Sequence, residues 1–219
     1  MRPRLLTFDI FGTVVDWQQG ISQALPSPGL STAQFEAVID RQGALEGGPF
    51  RNYASIVAQS LVEVLALPPE RAAALAARAG QWPLFDDATE GLRRLLLVAP
   101  CVAMTNSDRT HGLDVQEQLG FALSSWLCAE EVHRYKPDPA FWHAVAVRRG
   151  LTPSRDWWHV SAYADYDLGP ARALGLTTVF VERPHARPSA KGSPGKKEPA
   201  ADHVVPDLRA LAQLCEGLG

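Results

Sequence analysis

Residues 5–16 read Leu5-Leu6-Thr7-Phe8-Asp9-Ile10-Phe11-Gly12-Thr13-Val14-Val15-Asp16, and this stretch decides the fold. A short β-favouring run, Leu5 to Phe8, stops abruptly at Asp9. Such a run, flanked by charge, reads as a buried strand of a parallel sheet. Open α/β sheets bind their ligands beyond the carboxyl ends of their strands, which is where Asp9 stands. Gly12 and Thr13 then supply a turn and a hydroxyl. A lone Asp after a strand can simply cap a turn; held ionised in a crevice, it is a nucleophile.

From Trp17 the pattern turns helical and stays so. Gln34–Leu45 carries Phe35, Val38 and Ile39 at helical spacing behind a Ser31 or Thr32 cap. Ile56–Leu67 repeats the pattern, and Pro68-Pro69-Glu70 opens an Ala-rich helix. Beyond Gly91–Leu97, strands and helices alternate. Strands are expected at Cys101–Thr105, Trp126–Cys128, Trp157–Ser161, Thr177–Val181 and Val204-Val205. The intervening helices are expected at Leu113–Leu119, Ala140–Arg149, Leu168–Leu174 and from Asp207 to Glu216. Alternation of this kind makes a doubly wound parallel sheet. The expected architecture is thus an α/β Rossmann-like core, residues 1–16 and 85–219, with an inserted helical cap, residues 17–84. The segment 184–202, rich in Pro, Lys, Ala and Gly, reads as a loop or disordered tongue.

Composition bounds the partners. The chain has 219 residues, 46% hydrophobic and 21% charged, with a net charge of −3. That suits a globular protein and gives no reason to expect nucleic acid or a membrane surface as partner. No apolar run is long enough for a membrane span or a signal peptide. The three cysteines show no metal or CxxC pattern, which points to the reducing cytoplasm. The six histidines show no metal spacing.

Three further segments carry chemistry. Met104-Thr105-Asn106-Ser107 follows the second strand with a hydroxyl and an amide, residues that also cap turns. Arg134-Tyr135-Lys136-Pro137-Asp138-Pro139 is a rigid segment presenting an ammonium before a helix start. Val160-Ser161-Ala162-Tyr163-Ala164-Asp165-Tyr166-Asp167 follows the fourth strand with two carboxylates.

In this order the segments resemble the four motifs of the haloacid dehalogenase superfamily, and within it the L-2-haloacid dehalogenase branch. The resemblance covers essentially the whole chain. It implies that Asp9 forms a covalent ester, with Thr13 beside it, and that Lys136 pairs with Asp9 and keeps it ionised. Asp167 would orient the hydrolytic water. Thr105 and Asn106 would hold the carboxylate of a small anionic substrate, a 2-haloacid. Arg41, on the helix 34–45, would accept the halide, and Trp17, Phe50 and Tyr53 are candidates for the apolar wall.

The departures from the pattern point the same way. Phosphatases of the superfamily carry a second Asp where this chain has Phe11, which can neither donate a proton nor ligate a metal. A magnesium-binding carboxylate of the fourth motif would fall on Tyr163, and Asp165 has no clear counterpart, so solvent exposure is its simplest fate. A hard cation wants several oxygens. Phe11 and Tyr163 therefore read as substrate-binding groups, and no metal or cofactor is expected. The sequence leaves the oligomeric state open; the resemblance allows a homodimer.

Overall fold

The computed structural model describes residues 1–26, 28–185 and 201–218. Six parallel strands form one sheet: β1 Leu5–Phe8, β2 Cys101–Thr105, β3 Ser125–Cys128, β4 Trp157–Ser161, β5 Thr177–Val181 and β6 His203–Val205. Their order is β3-β2-β1-β4-β5-β6. The chain winds outward from β1 in one direction, then returns to continue from β4 in the other. The strand order therefore reverses beside β1, and crevices at such a switch point bind ligands. Phe8 is in register with Ala103 of β2 and Val160 of β4. Asp9 thus leaves the sheet between the ends of its two neighbours.

The four inner strands, β1, β2, β4 and β5, are buried on both faces, as the apolar runs require. Alternation sorts the side chains. Leu6, Phe8 and Val160 pack on α5 (Ala88–Val98) and α10 (Leu208–Glu216). Leu5, Val102 and Trp157 pack with Phe141 and Trp142 of α8 (Ala140–Arg149) and Ala171 of α9 (Gly169–Ala173). The remaining core helices are α6 (Arg109–Leu119) and the short α7 (Ala129–Val132).

Between β1 and β2 lies a helical insertion: α1 Trp17–Gln23, α2 Thr32–Glu46, α3 Tyr53–Leu65 and α4 Pro69–Ala77. Ser31 and Gln34 form a capping box on α2, Asn52 caps α3, and Asp207 caps α10 as its position predicts. Val15 bridges Leu84, so the chain leaves and re-enters the core at adjacent points. Asp108 ties the insertion down: its carboxylate accepts the Tyr53 and Ala54 amides at 2.7 and 2.9 Å, at the start of α3.

α2, α3, α5 and α6 start earlier than periodicity suggests, α6 by four residues, because capping residues and first turns carry little apolar signal; α8 starts where expected. After β4 a π turn, Ala164–Leu168, precedes α9. Most of the segment 184–202 lies outside the described residues. Among the described residues, no helix is long and apolar enough to cross a membrane.

Candidate active site

Asp9 is only 2% exposed, and its two oxygens are separately held. Lys136 Nζ donates to Oδ1 at 2.9 Å, and the Thr13 hydroxyl donates to Oδ2 at 2.8 Å. Thr13 is placed by the tight turn at Gly12 and accepts the Ala162 amide at 3.0 Å. Gly12 has φ of +95°, and a β-carbon there would lie 2.3 Å from the Tyr163 hydroxyl, so only glycine fits. Behind this turn, Arg183 donates to the Thr13 carbonyl at 2.8 and 3.1 Å and pairs with buried Asp87.

Lys136 also donates to Asp167 Oδ2 at 2.8 Å, so one ammonium joins two carboxylates. The ring of Tyr166 lies 5.3 Å from that ammonium. The loop that delivers Lys136 is held by Asn106. The Asn106 Oδ1 accepts the Lys136 amide at 2.7 Å, and its Nδ2 donates to the Lys136 carbonyl at 3.2 Å. The Lys136–Pro137 peptide is cis. The π turn swings Asp167 inward while leaving Asp165 exposed.

Behind Asp167 lies a group that the motifs do not reveal. His159, in the middle of β4, places Nε2 2.7 Å from Asp167 Oδ1 and Nδ1 2.8 Å from the Thr7 hydroxyl. Thr7 in turn accepts the Trp157 indole at 2.9 Å. Thr7, His159 and Trp157 face one side of the sheet through the period of two, and His159 amid the buried apolar Trp157, Trp158 and Val160 was the available signal.

Burial opposes every charge in this cluster, and the balance differs from group to group. For Lys136, burial pulls the pKa down, but Asp167 and Asp9 outweigh it and the ammonium is held above its ordinary value. For Asp167, burial pushes up, and Lys136 with His159 overcome it, holding the carboxyl below its ordinary value. Asp9 ends raised, because burial and the neighbouring Asp167 exceed what Lys136 and Thr13 return. Asp167 is therefore the firmly ionised member, and Asp9 takes the first proton as pH falls.

A cleft of about 670 Å³ opens over Asp9. Phe11, Trp17, Tyr53, Tyr163 and Tyr166 form much of its wall, and Thr105, Asn106 and Gln42 add polar groups. Phe11 packs among Tyr53, Trp82 and His111. The Trp17 indole donates to the Tyr163 hydroxyl at 3.1 Å. Among the described residues, no group of three His, Cys, Asp or Glu is arranged to hold a metal.

Expectation and geometry part at two residues. Arg41 does not reach the cleft; it pairs with Glu63 on the outside of the insertion. The inward face of α2 carries Ile39, Gln42, Gly43 and Glu46, the i, i+3, i+4, i+7 stripe. Arg41 lies off that stripe, so the halide-accepting role expected of it has no structural basis. Asn106 lies in the cleft, yet its amide is engaged by Lys136 and by Glu46, whose Oε2 accepts it at 3.1 Å.

No family model matches the chain. Over 117 residues it is 30% identical to (S)-2-haloacid dehalogenase 4A of Burkholderia cepacia, a match spanning 52% of this chain and about half, 50%, of that protein. The whole fold superposes on the L-2-haloacid dehalogenase PA0810 with a TM-score of 0.76 at 26% identity, covering 97% of this chain and 99% of the other. The chain belongs to the haloacid dehalogenase superfamily. Within it, the chain is similar to proteins named 2-haloacid dehalogenases. A 20% identical member, the L-2-haloacid dehalogenase of Xanthobacter autotrophicus with chloropropionic acid covalently bound, shares the fold with a TM-score of 0.79 over 99% of this chain and 100% of its own.

Proposed function

We propose that the protein is a hydrolytic dehalogenase of short 2-haloalkanoic acids that works through an ester on Asp9. The observation that carries the reading is the Lys136 bridge between Asp9 and Asp167, with Phe11 packed where a phosphatase needs an acid. A buried, positively partnered carboxylate with Phe11 in place of a neighbouring carboxylic acid suits attack on carbon, where the halide leaves without a proton.

In the first half-reaction an Asp9 oxygen attacks C2 of the substrate from the face opposite the halogen. The carbon–halogen bond breaks, the halide leaves with the bonding pair, and the configuration at C2 inverts. Lys136 and Thr13 hold the carboxylate in line during this step. In the second, water adds to the Asp9 carboxyl carbon, and Asp167 takes its proton. The ester bond then breaks on the acyl side, and the departing alkoxide recovers the proton from Asp167. Asp9 keeps the water oxygen and releases the remaining proton. Neither step calls for a metal or an organic cofactor. The helical insertion serves as a cap that closes the cleft.

A second reading, hydrolysis of another carbon electrophile through the same ester, is favoured by the absence of Arg41 from the cleft. Chloride release from 2-chloropropionate tests the first reading, with p-nitrophenyl phosphate plus magnesium as the control. Phosphate release without chloride release would overturn both.

A further inference from the structure

Glu46 ends α2 and faces the cleft. Its carboxyl accepts the Asn106 amide, occupying the position where the sequence places the substrate carboxylate. The charged donors of the cleft are already engaged. Lys136 is bonded to two carboxylates, and Arg134 pairs with Asp138 at 3.6 Å. A carboxylate substrate entering this cleft therefore meets a carboxyl group of the protein. Two ionised carboxylates in contact repel; a carboxylic acid facing a carboxylate forms a charge-assisted hydrogen bond.

We propose that Glu46 is the residue that recognises the substrate's carboxylate, donating to it in the protonated form and excluding it in the ionised form. This rests on the dehalogenase reading for its substrate and adds the group that selects it. Asn106 holds one Glu46 oxygen and so presents the acid from a fixed position.

The surroundings support a protonated Glu46 near neutral pH. Asp9 faces it from beyond the end of β1 and Lys136 from the loop before α8, while Tyr53, Tyr135 and Tyr166 stand around it. Burial pushes the Glu46 carboxyl up to about 8; Asp9 adds to this, and Asn106 and Lys136 oppose it. Burial raises all three tyrosines, so they remain neutral beside it. Asp40, His133, Arg134, Asp138 and Asp165 line the wider cleft.

The sign follows directly. Glu46 is neutral below its pKa, so carboxylate binding is strong there and is lost as pH rises through about 8. Propionate, which carries no leaving group, isolates binding from chemistry. Calorimetric titration of the wild-type protein should show its affinity falling about tenfold per pH unit above that point. Glu46→Gln, a permanently neutral donor, should bind propionate with flat affinity across the same range, and propionamide should show no such loss with either protein. In turnover of 2-chloropropionate the effect should appear in KM and leave kcat unchanged. A flat wild-type profile, or a parallel loss in Glu46→Gln, overturns the proposal. Chloride release at neutral pH judges the dehalogenase reading separately.

Discussion

Lys136 Nζ lies 2.9 Å from Asp9 Oδ1, and the two groups are 1% and 2% exposed. An ion pair so deeply buried adds little net stability, since desolvation offsets most of the attraction. Its value here is orientation: the ammonium fixes one Asp9 oxygen and reaches Asp167 with another proton.

Removing the ammonium leaves two carboxylates buried without a cation. Lys136→Met should cost about 3–5 kcal/mol of stability, the usual penalty for breaking one side of a buried pair. Urea unfolding followed by circular dichroism measures it. A cost near zero would mean that water reaches the site freely.

Phe11 and Tyr163 stand where the superfamily's phosphatases carry acids, which leaves a hard cation short of oxygen ligands. Activity should therefore be unchanged by EDTA and unchanged by added magnesium. Strict dependence of chloride release on magnesium would contradict the metal-free reading of Phe11 and Tyr163.

Asp9 carries the acid limb of the pH profile. Its pKa is raised by burial and by Asp167, so kcat/KM should fall with pH through a value above that of an ordinary carboxylate. Asp167→Asn removes one of those causes and also the base for the second step. The variant should accumulate the ester, seen as a mass increase, and its ester formation should persist to lower pH than in the wild type. An acid limb at the ordinary carboxylate position would contradict this assignment.

Arg41→Ala should change turnover by no more than about twofold, as expected for a surface position away from the site. A loss of a hundredfold, measured with chloride and bromide substrates, would require the insertion to rearrange and bring Arg41 inward.

That last point shows where the sequence was legible. β1, the alternation beyond Cys101, the strand-end positions of Asp9 and Thr105 and the loop position of Lys136 follow from strong local signals: apolar runs, abrupt polar stops and a Pro-flanked Lys. Asp167 needed the order of the four motifs, since Asp165 stands two residues away in the same loop. Arg41 and Glu46 both lie on α2, and choosing between them required knowing which stripe faces the core, a tertiary fact. Ile39 and Gln42 mark that stripe, and Glu46 lies on it. His159 was hidden for another reason: it sits inside a strand and acts through Asp167, so no exposed motif contains it. Arg183 is hidden likewise, because its partners Thr13 and Asp87 are distant in sequence.

The ester on Asp9 is the centre of the account, and oxygen transfer tests it most directly. The protein is incubated with 2-chloropropionate in heavy-oxygen water through many turnovers, digested, and the fragment containing Asp9 weighed. Incorporation of heavy oxygen into that fragment, with first-turnover product carrying ordinary oxygen from Asp9, is the expected result. Heavy oxygen appearing in the first product while Asp9 stays unlabelled would mean that water attacks the substrate carbon itself, and the covalent route would be wrong.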